Sequence, residues 1–253
     1  MSILIRSNKV ITAGGKVLAR PASPLDLSNL KLYLSATRMP QYANGTAVPS
    51  FLDYSGNNYN ATQATTSLQP LFKTNQFGVN AGVRFDAVDD ILSLTGGALD
   101  IFKNINQFTV QSLVKRSVIS TNASIIQFTQ GGSASSRFVM QFTTTGIQVA
   151  VRMLDATINV ASIVVPSNDL NAHLIQCVAI SNVMYVYVDG VLSGSTTMDS
   201  ATSSNTSSTN AYVGSQPASF GSAIINAISI NQLFSSNTTL QAQYRGYLQR
   251  GYL

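Results

Sequence analysis

The sequence predicts an all-β protein in which two antiparallel sheets pack as a sandwich or jelly roll. From Leu30 onward, short apolar runs of the β type alternate with turn residues, and none of these runs has a helical period. A chain of 253 residues is long enough for such a sandwich to form one domain with a substantial core. We therefore expect a domain over residues 24–253, preceded by an arm over residues 1–23.

The N-terminal arm contains two short β-type runs around Ala13-Gly14-Gly15 and ends in a joint with Pro21 and Pro24. A two-stranded element is marginal alone, so we expect it to pack on the domain or to add strands to a neighbouring subunit. Exchange of such an arm locks symmetric oligomers, which predicts a homo-oligomer, with a trimer preferred. The predicted assembly contacts are Ile3, Ile5, Val10, Ile11, Val17 and Leu18.

Composition excludes several classes of protein. The net charge is +5, but only Lys115 and Arg116 are adjacent among the 15 basic residues, so no nucleic-acid partner is expected. The N-terminal apolar stretch is too short for a signal peptide and no later run could cross a bilayer, which predicts cytoplasmic synthesis without membrane insertion. Cys177 is the only cysteine, so no internal disulfide can form.

Two elements have strong local signals. In "MYVYVDGVLSG", Tyr185 and Tyr187 alternate with valines, and Asp189-Gly190 supplies the positive-φ residues of a two-residue hairpin turn. Near the end, "SSNTTLQAQYRGYLQRGYL" offers Ser and Asn caps before apolar residues at helical spacing. This pattern predicts a short amphipathic helix over residues 238–250.

Five segments occur in the order found in the laminin-G-like, concanavalin A-like sandwich domains, and they are followed by the terminal helix. They are "FLDYSGNNYNATQ", "GVRFDAVDDILSL", "FTVQSLVKRS", "MYVYVDGVLSGS" and "AYVGS". The chain resembles this family over about residues 28–248. The resemblance implies a jelly roll of two curved sheets, a fold used by lectins, carbohydrate-binding modules, some glycoside hydrolases and many bacteriophage particle proteins. The family usually has Trp where this chain has Tyr33 and Phe51.

The acidic residues argue against catalysis. Glycoside hydrolysis ordinarily needs two carboxyl groups, and the glucanases of the superfamily that the chain resembles share a Glu-x-Asp-x-x-Glu strand motif. This chain has no Glu, so we predict no catalytic residues and no enzyme activity. The only histidine, His173, lies four residues before Cys177 in one apolar strand, about 13 Å away, which is too far for a nucleophilic pair.

Asp86, Asp89 and Asp90 lie within five positions in "VRFDAVDDILSL". One interpretation is a corner between two strands, in which Asp side chains accept hydrogen bonds from backbone N–H groups. The alternative is a calcium site, because hard cations prefer carboxylate and carbonyl oxygens. The corner is favoured, and no cofactor other than this calcium ion is expected.

The favoured function is a non-enzymatic bacteriophage particle protein, such as a head decoration protein or a tail, neck or fibre component. Its expected location is the virion, and its expected partners are itself, other virion proteins and a host-surface glycan. The alternative is a carbohydrate-binding module or lectin, with its ligand on loops 39–76 and 198–210 or on a concave sheet. The sheet residues predicted for sugar binding are Tyr185, Tyr187, Arg137 and Arg152.

Overall fold

The structure is a computed structural model that describes residues 4–6, 9–11, 17–19, 29–119, 122–130, 136–155, 161–166, 169–214 and 222–253. For the strands before residue 20, and for residues 136 and 161, the backbone alone is described. In chain order, the elements are β1 (Leu4–Arg6), β2 (Lys9–Ile11), β3 (Val17–Ala19), β4 (Leu30–Ser35), β5 (Ser50–Phe51), β6 (Ala61–Thr62), β7 (Leu71–Phe77), β8 (Asn80–Arg84), β9 (Leu92–Leu94), β10 (Gln107–Arg116), β11 (Ala123–Thr129), β12 (Ser136–Thr143), β13 (Gly146–Val151), β14 (Ala161–Pro166), β15 (His173–Ile180), β16 (Val183–Val188), β17 (Val191–Thr197), β18 (Asn210–Val213), β19 (Ala223–Asn231) and α1 (Asn237–Gln249).

Two eight-stranded antiparallel sheets form the sandwich. Sheet I has the order β17-β16-β15-β10-β19-β8-β7, and β4 also pairs with β19. Sheet II has the order β14-β13-β12-β11-β18-β9-β6-β5. Strands that are neighbours in a sheet are often distant in the chain, as in the pairing of β10 with β19. This arrangement confirms the predicted all-β jelly-roll sandwich with a C-terminal helix.

The main core lies between the two sheets, where the alternation of each strand places its apolar side chains. Phe102, just after a 3-10 turn over Gly96–Asp100, joins the two sheets. Its ring stacks on Phe138 of β12 at 5.1 Å and meets Phe108 of β10 edge-on at 5.2 Å. Aromatic pairs of this geometry each add about 1 kcal/mol beyond the area that they bury.

Helix α1 covers part of the outer face of sheet I. Ser236 caps it, because its side chain accepts a hydrogen bond from the Thr239 backbone N–H at 3.3 Å. Beneath the helix, a second apolar cluster contains Phe77, Leu113, Leu174, Ile224 and Tyr247. The helix begins and ends one residue before the predicted range of 238–250. No helix among the described residues has the length and apolarity needed to cross a bilayer.

The predicted hairpin and corner are both present. Strands β16 and β17 are joined by Asp189 and Gly190, whose φ angles are 52° and 75°, as a type I′ turn requires. Strand β8 belongs to sheet I and β9 to sheet II, so the segment with the three aspartates carries the chain from one sheet to the other.

The two segments expected to be long loops are more ordered than the composition suggested. Residues 39–76 contain β5, β6 and most of β7, so the expectation of one irregular loop is wrong there. The Ser, Thr and Asn run over 198–210 has no strand before Asn210, but backbone hydrogen bonds fix it. Ser203 N donates to Ile105 O at 2.7 Å, and Ser208 N donates to Leu99 O at 2.9 Å. Both segments satisfy backbone groups that a free loop would leave to water.

The N-terminal arm forms three strands rather than the expected two. Strands β1, β2 and β3 make an antiparallel sheet in which Ile5 pairs with Val10, and Val10 pairs with Leu18. In the sequence, the polar residues Ser7 and Asn8 divide the first apolar run. Ile11 and Val17 also lie in these strands, whereas Ile3 lies outside the described residues. Their assembly role stays a prediction.

Candidate functional site

A groove opens on the outer face of sheet I, at the C-terminal end of α1. Its volume is about 320 Å³. Strands β4 and β19 supply its floor, the 3-10 turn after β4 supplies one wall, and the end of α1 with the following tail supplies the other. The lining residues are Tyr33, Ser35, Thr37, Arg38, Asn226, Tyr247, Arg250 and Tyr252. We call this site the C-terminal groove.

Strand alternation places the floor residues. In β4, Leu32 and Leu34 are fully buried in the main core, so Tyr33 and Ser35 face the opposite side of the sheet. Asn226 lies in β19 where the pairing with β10 shifts by one residue. Its side-chain amide donates to Thr37 Oγ1 at 2.9 Å and to Ala81 O at 2.7 Å. These bonds fix the Asn226 side chain in the floor of the groove.

A Schellman motif places the second wall. Gly251 N donates to Leu248 O at 3.0 Å and Tyr252 N donates to Tyr247 O at 3.2 Å, while Gly251 has a φ of 69°. The chain therefore turns back at the end of the helix. As a result, the Tyr252 ring meets the Tyr247 ring edge-on, with 5.4 Å between the ring centroids.

Two arginines stack on the aromatic rings of the groove. The Arg38 guanidinium carbon lies 5.8 Å from the centre of the Tyr33 ring and 5.6 Å from that of Tyr54. The Arg250 guanidinium carbon lies 5.0 Å from the Tyr247 ring centre and 5.6 Å from that of Tyr252. Tyr54 also donates a hydrogen bond to the Arg38 carbonyl oxygen. Cation–π contacts of this kind attract each guanidinium to the faces of the rings.

The electrostatic environment of the groove is cationic. None of its eight lining residues is acidic. Burial raises the pKa of the Tyr33 phenol above its usual range, against the hydrogen bond to Ser35 and the charges of Arg38 and Arg250. The phenol is therefore neutral and protonated at physiological pH. The groove combines two positive charges with neutral hydroxyl and amide groups.

The four residues predicted to bind sugar do not share a surface. Tyr185 and Tyr187 lie half-buried in β16 of sheet I, where Met184 and Val186 point into the main core. The two tyrosines therefore lie on the outer face, the same face of sheet I that carries α1. Tyr187 pairs with Gln176 of β15 and with Leu192 of β17.

Arg137 and Arg152 lie on the other sheet and are almost completely buried. Their exposed fractions are 2% and 3%. Arg137 forms an ion pair with Asp155 and donates to Met153 O at 3.0 Å and to Ser204 Oγ at 2.9 Å. Arg152 donates through its guanidinium to the Asp155 backbone oxygen at 3.3 Å. These contacts hold the end of β13 against the segment over 198–210, and they place both arginines away from the two tyrosines.

The three aspartates form a closed corner. Asp86 Oδ1 accepts from Val88 N at 2.8 Å and from Asp89 N at 3.3 Å, and Asp90 Oδ2 accepts from Asp86 N at 2.9 Å. One carboxylate oxygen from each aspartate lies within 4.8 Å of the others. Burial, followed by the charge of Asp86, raises the pKa of Asp90 to about 6. These hydrogen bonds are those of a turn. Because the three carboxylates also lie close together, calcium binding stays a prediction.

His173 and Cys177 both lie in β15 but have different surroundings. His173 Nδ1 lies 2.8 Å from Asp189 Oδ2, and its Nε2 lies 3.0 Å from Asp169 Oδ1. The hydrogen bond to Asp189 raises the pKa of His173, burial opposes this, and Asp169 adds to the rise. Cys177 is completely buried, and burial raises the pKa of its thiol. The histidine therefore braces the β16–β17 turn, and the thiol packs in the core.

The fold defines the chain as a jelly-roll β-sandwich of two antiparallel sheets. Comparison of the sequence with family models and with curated proteins gives no match. Among solved structures, the chain is similar to the binding domain of botulinum neurotoxin serotype D, with 15% identity and a TM-score of 0.60, over 86% of this chain and 52% of that chain.

Two further solved structures show the same fold. One is botulinum neurotoxin type C, whose cell entry is described as dependent upon interaction with two ganglioside molecules; it is 12% identical, with a TM-score of 0.60, over 87% of this chain and 51% of that one. The other is Trypanosoma rangeli sialidase, which is 14% identical, with a TM-score of 0.60, over 94% of this chain and 35% of that one. The chain thus spans about half the length of the toxin structures. At these identities the likeness shows the fold alone.

Proposed function

We propose that this protein is a non-catalytic glycan-binding module that acts by adhesion, and that it belongs to a bacteriophage particle. The observation that carries the binding function is the C-terminal groove, in which three tyrosines and two arginines line one cavity. Aromatic rings, hydroxyls and amides in one concave site are the groups with which proteins bind sugars, because a sugar ring has apolar faces and a rim of hydroxyls.

The comparison with toxin binding domains supports the same proposal at the level of the fold. One of the similar structures is a botulinum neurotoxin whose entry depends on gangliosides, and another is a complex with SialylT. These ligands belong to those proteins, of which this chain spans about half, and the likeness supports the proposal through the fold only. The absence of Glu in the sequence supports a binding role rather than hydrolysis.

A glycan array with the full chain tests the binding function. We expect binding to a subset of glycans, with loss of at least about tenfold in affinity for Tyr252→Ala, since stacking and a bound hydroxyl are both removed. Tyr185→Ala is the matched control, because Tyr185 lies on sheet I outside the groove. Loss of binding in Tyr185→Ala but not in Tyr252→Ala would move the site to the sheet face. An array without any binding would refute the function.

The bacteriophage setting rests on the resemblance of the sequence to particle jelly rolls and on the N-terminal sheet β1–β3, which pairs with neither sheet I nor sheet II among the described strands. We propose that this arm joins subunits into a homo-oligomer, with a trimer preferred, in the virion. Light scattering should show an oligomer that dissociates when residues 1–23 are deleted. A monomer of unchanged mass after the deletion would refute the assembly role.

A further inference from the structure

The charge of the C-terminal groove distinguishes it from a site for a neutral sugar. Two guanidinium groups line it, and none of the lining side chains is acidic. Within the described part of the chain, Arg38 forms no ion pair with an acidic residue, and its side chain is exposed. A cation held without a counter-charge beside a cavity favours an anionic ligand.

The planar shape of the guanidinium groups determines which kind of ligand group they bind best. Arg38 lies over the rings of Tyr33 and Tyr54, and Arg250 lies over those of Tyr247 and Tyr252. A guanidinium group carries its N–H donors as a rigid planar fork. A planar carboxylate accepts two parallel hydrogen bonds from this fork, one on each oxygen, whereas a hydroxyl has no second oxygen to match it. Arg38 is therefore prepared to bind a carboxylate.

The other lining groups suit the rest of a sugar. Burial raises the pKa of the Tyr33 hydroxyl, and the charges of Arg38 and Arg250 both act on it to oppose this larger effect. Ser35 and Asn226 form a polar floor with exposed fractions of 3% and 1%. The Asn226 amide donates to Thr37 Oγ1 and Ala81 O, so the floor is neutral and carries no charge that would repel an anion.

We propose that the C-terminal groove binds the carboxylate of an acidic glycan, such as a uronic acid or a sialic acid residue, with Arg38 as the principal carboxylate ligand and Arg250 as the second cation. This inference rests on the proposed glycan-binding function and adds the class of sugar. The bound acid has its carboxylate against the guanidinium edge, and its hydroxyls reach Tyr33 and the floor.

The test compares pairs of ligands that differ chiefly in charge. The probes are a galacturonic acid trisaccharide and its methyl ester, together with sialyllactose and its methyl ester, titrated into the full chain by calorimetry. We expect at least one acid to bind about tenfold or more tightly than its neutral counterpart, because hydrogen bonds to charged groups are the stronger ones. The affinity for that acid should fall as salt is raised.

The chain contains a matched control for the arginine. Arg38→Gln should abolish the preference for the acid, and Arg38→Lys should restore only part of it, since lysine retains the charge without the planar fork. Arg245→Gln removes one charge from the same "RGYL" repeat, but Arg245 is exposed on α1 outside the groove, so this variant should keep the preference. Thermal melts of all three variants check that the fold is retained.

The outcomes separate the two proposals. Equal binding of the acid and its ester, lost in Tyr252→Ala, would overturn the acidic preference and keep the glycan-binding function. A preference for the acid that survives in both Arg38→Gln and Arg250→Gln would also overturn the inference, because the cations of the groove would not be its cause. The absence of binding to all four probes and to the array would overturn both.

Discussion

Replacing Asp90 by Asn should stabilise the protein at neutral pH if the aspartate corner is only a turn. Asp90 has an exposed fraction of 5%, and its Oδ2 accepts the Asp86 backbone N–H at 2.9 Å. Asparagine keeps an oxygen for that hydrogen bond and removes the buried charge. The substitution therefore separates the role of the oxygen from the cost of the negative charge.

The expected gain in the free energy of unfolding follows from the pKa of Asp90. Burial and the charge of Asp86 raise this pKa from 3.8 to about 6. At about 1.4 kcal/mol per pKa unit, ionising Asp90 costs the folded state about 3 kcal/mol. Because the folded state holds the proton more tightly, the free energy of unfolding falls as pH rises from about 4 to about 6 and stays low above that. The Asn variant lacks this loss, so it should be more stable by up to about 3 kcal/mol at pH 7 and equal to the wild type near pH 3.

The assay is urea unfolding at pH 3, 5 and 7, with and without calcium or EDTA. Asp89→Asn is the matched control, because Asp89 is half-buried in the same corner and its loss should change stability less. If calcium binds there, the result reverses: calcium should stabilise the wild type at pH 7, EDTA should lower its melting temperature, and Asp90→Asn should be destabilising. That reversal would refute the turn interpretation.

Two further predictions concern residues that fix the fold. The raised pKa of His173 stabilises the folded state below about pH 6.5, and this contribution should be lost as pH rises through the folded-state pKa. In urea unfolding between about pH 6 and 9, His173→Gln should therefore remove this pH dependence of stability. An unchanged profile would contradict the bracing role of His173 beside Asp189. Gly214→Ala should cost about 2 to 4 kcal/mol, because the φ of Gly214 is 83° and an added Cβ would lie 2.0 Å from the Phe85 ring. Gly45→Ala, with a φ of 85° and open space around it, should cost only the backbone strain of about 1 kcal/mol, and equal losses in thermal melts would contradict the steric argument.

The fold was largely predictable because its signals are local. Alternation in "MYVYV" and the Asp189-Gly190 turn specify β16 and β17, and the capping residue Ser236 specifies the start of α1. The order of the strands within a sheet was not predictable from such patterns. The pairing of β10 with β19 joins segments more than 100 residues apart, and only packing of the whole chain selects it.

The candidate site was less predictable, because a residue type does not reveal what surrounds it. Arg137 and Arg152 were expected on a sugar-binding sheet, but Asp155 and backbone oxygens of neighbouring segments bind them in the interior. In a sequence, a buried arginine that is paired with an aspartate looks the same as an exposed arginine that forms no ion pair. The distinction depends on burial and on nearby acceptors, which tertiary structure alone supplies.

The tail "YRGYLQRGYL" contributes residues to the groove, but its sequence alone did not predict which copy of the repeat would line it. A period of five residues on an α-helix corresponds to a rotation of about 140°, so the two Arg-Gly-Tyr-Leu copies cannot present the same face. The helix ends at Gln249, and the Schellman turn at Gly251 then directs the second copy back toward Tyr33. Arg245 is therefore left on the exposed side of α1, whereas Arg250 enters the groove. The arginines of the two copies therefore lie in different environments. For that reason Arg245 can serve as the control for Arg250 in binding experiments.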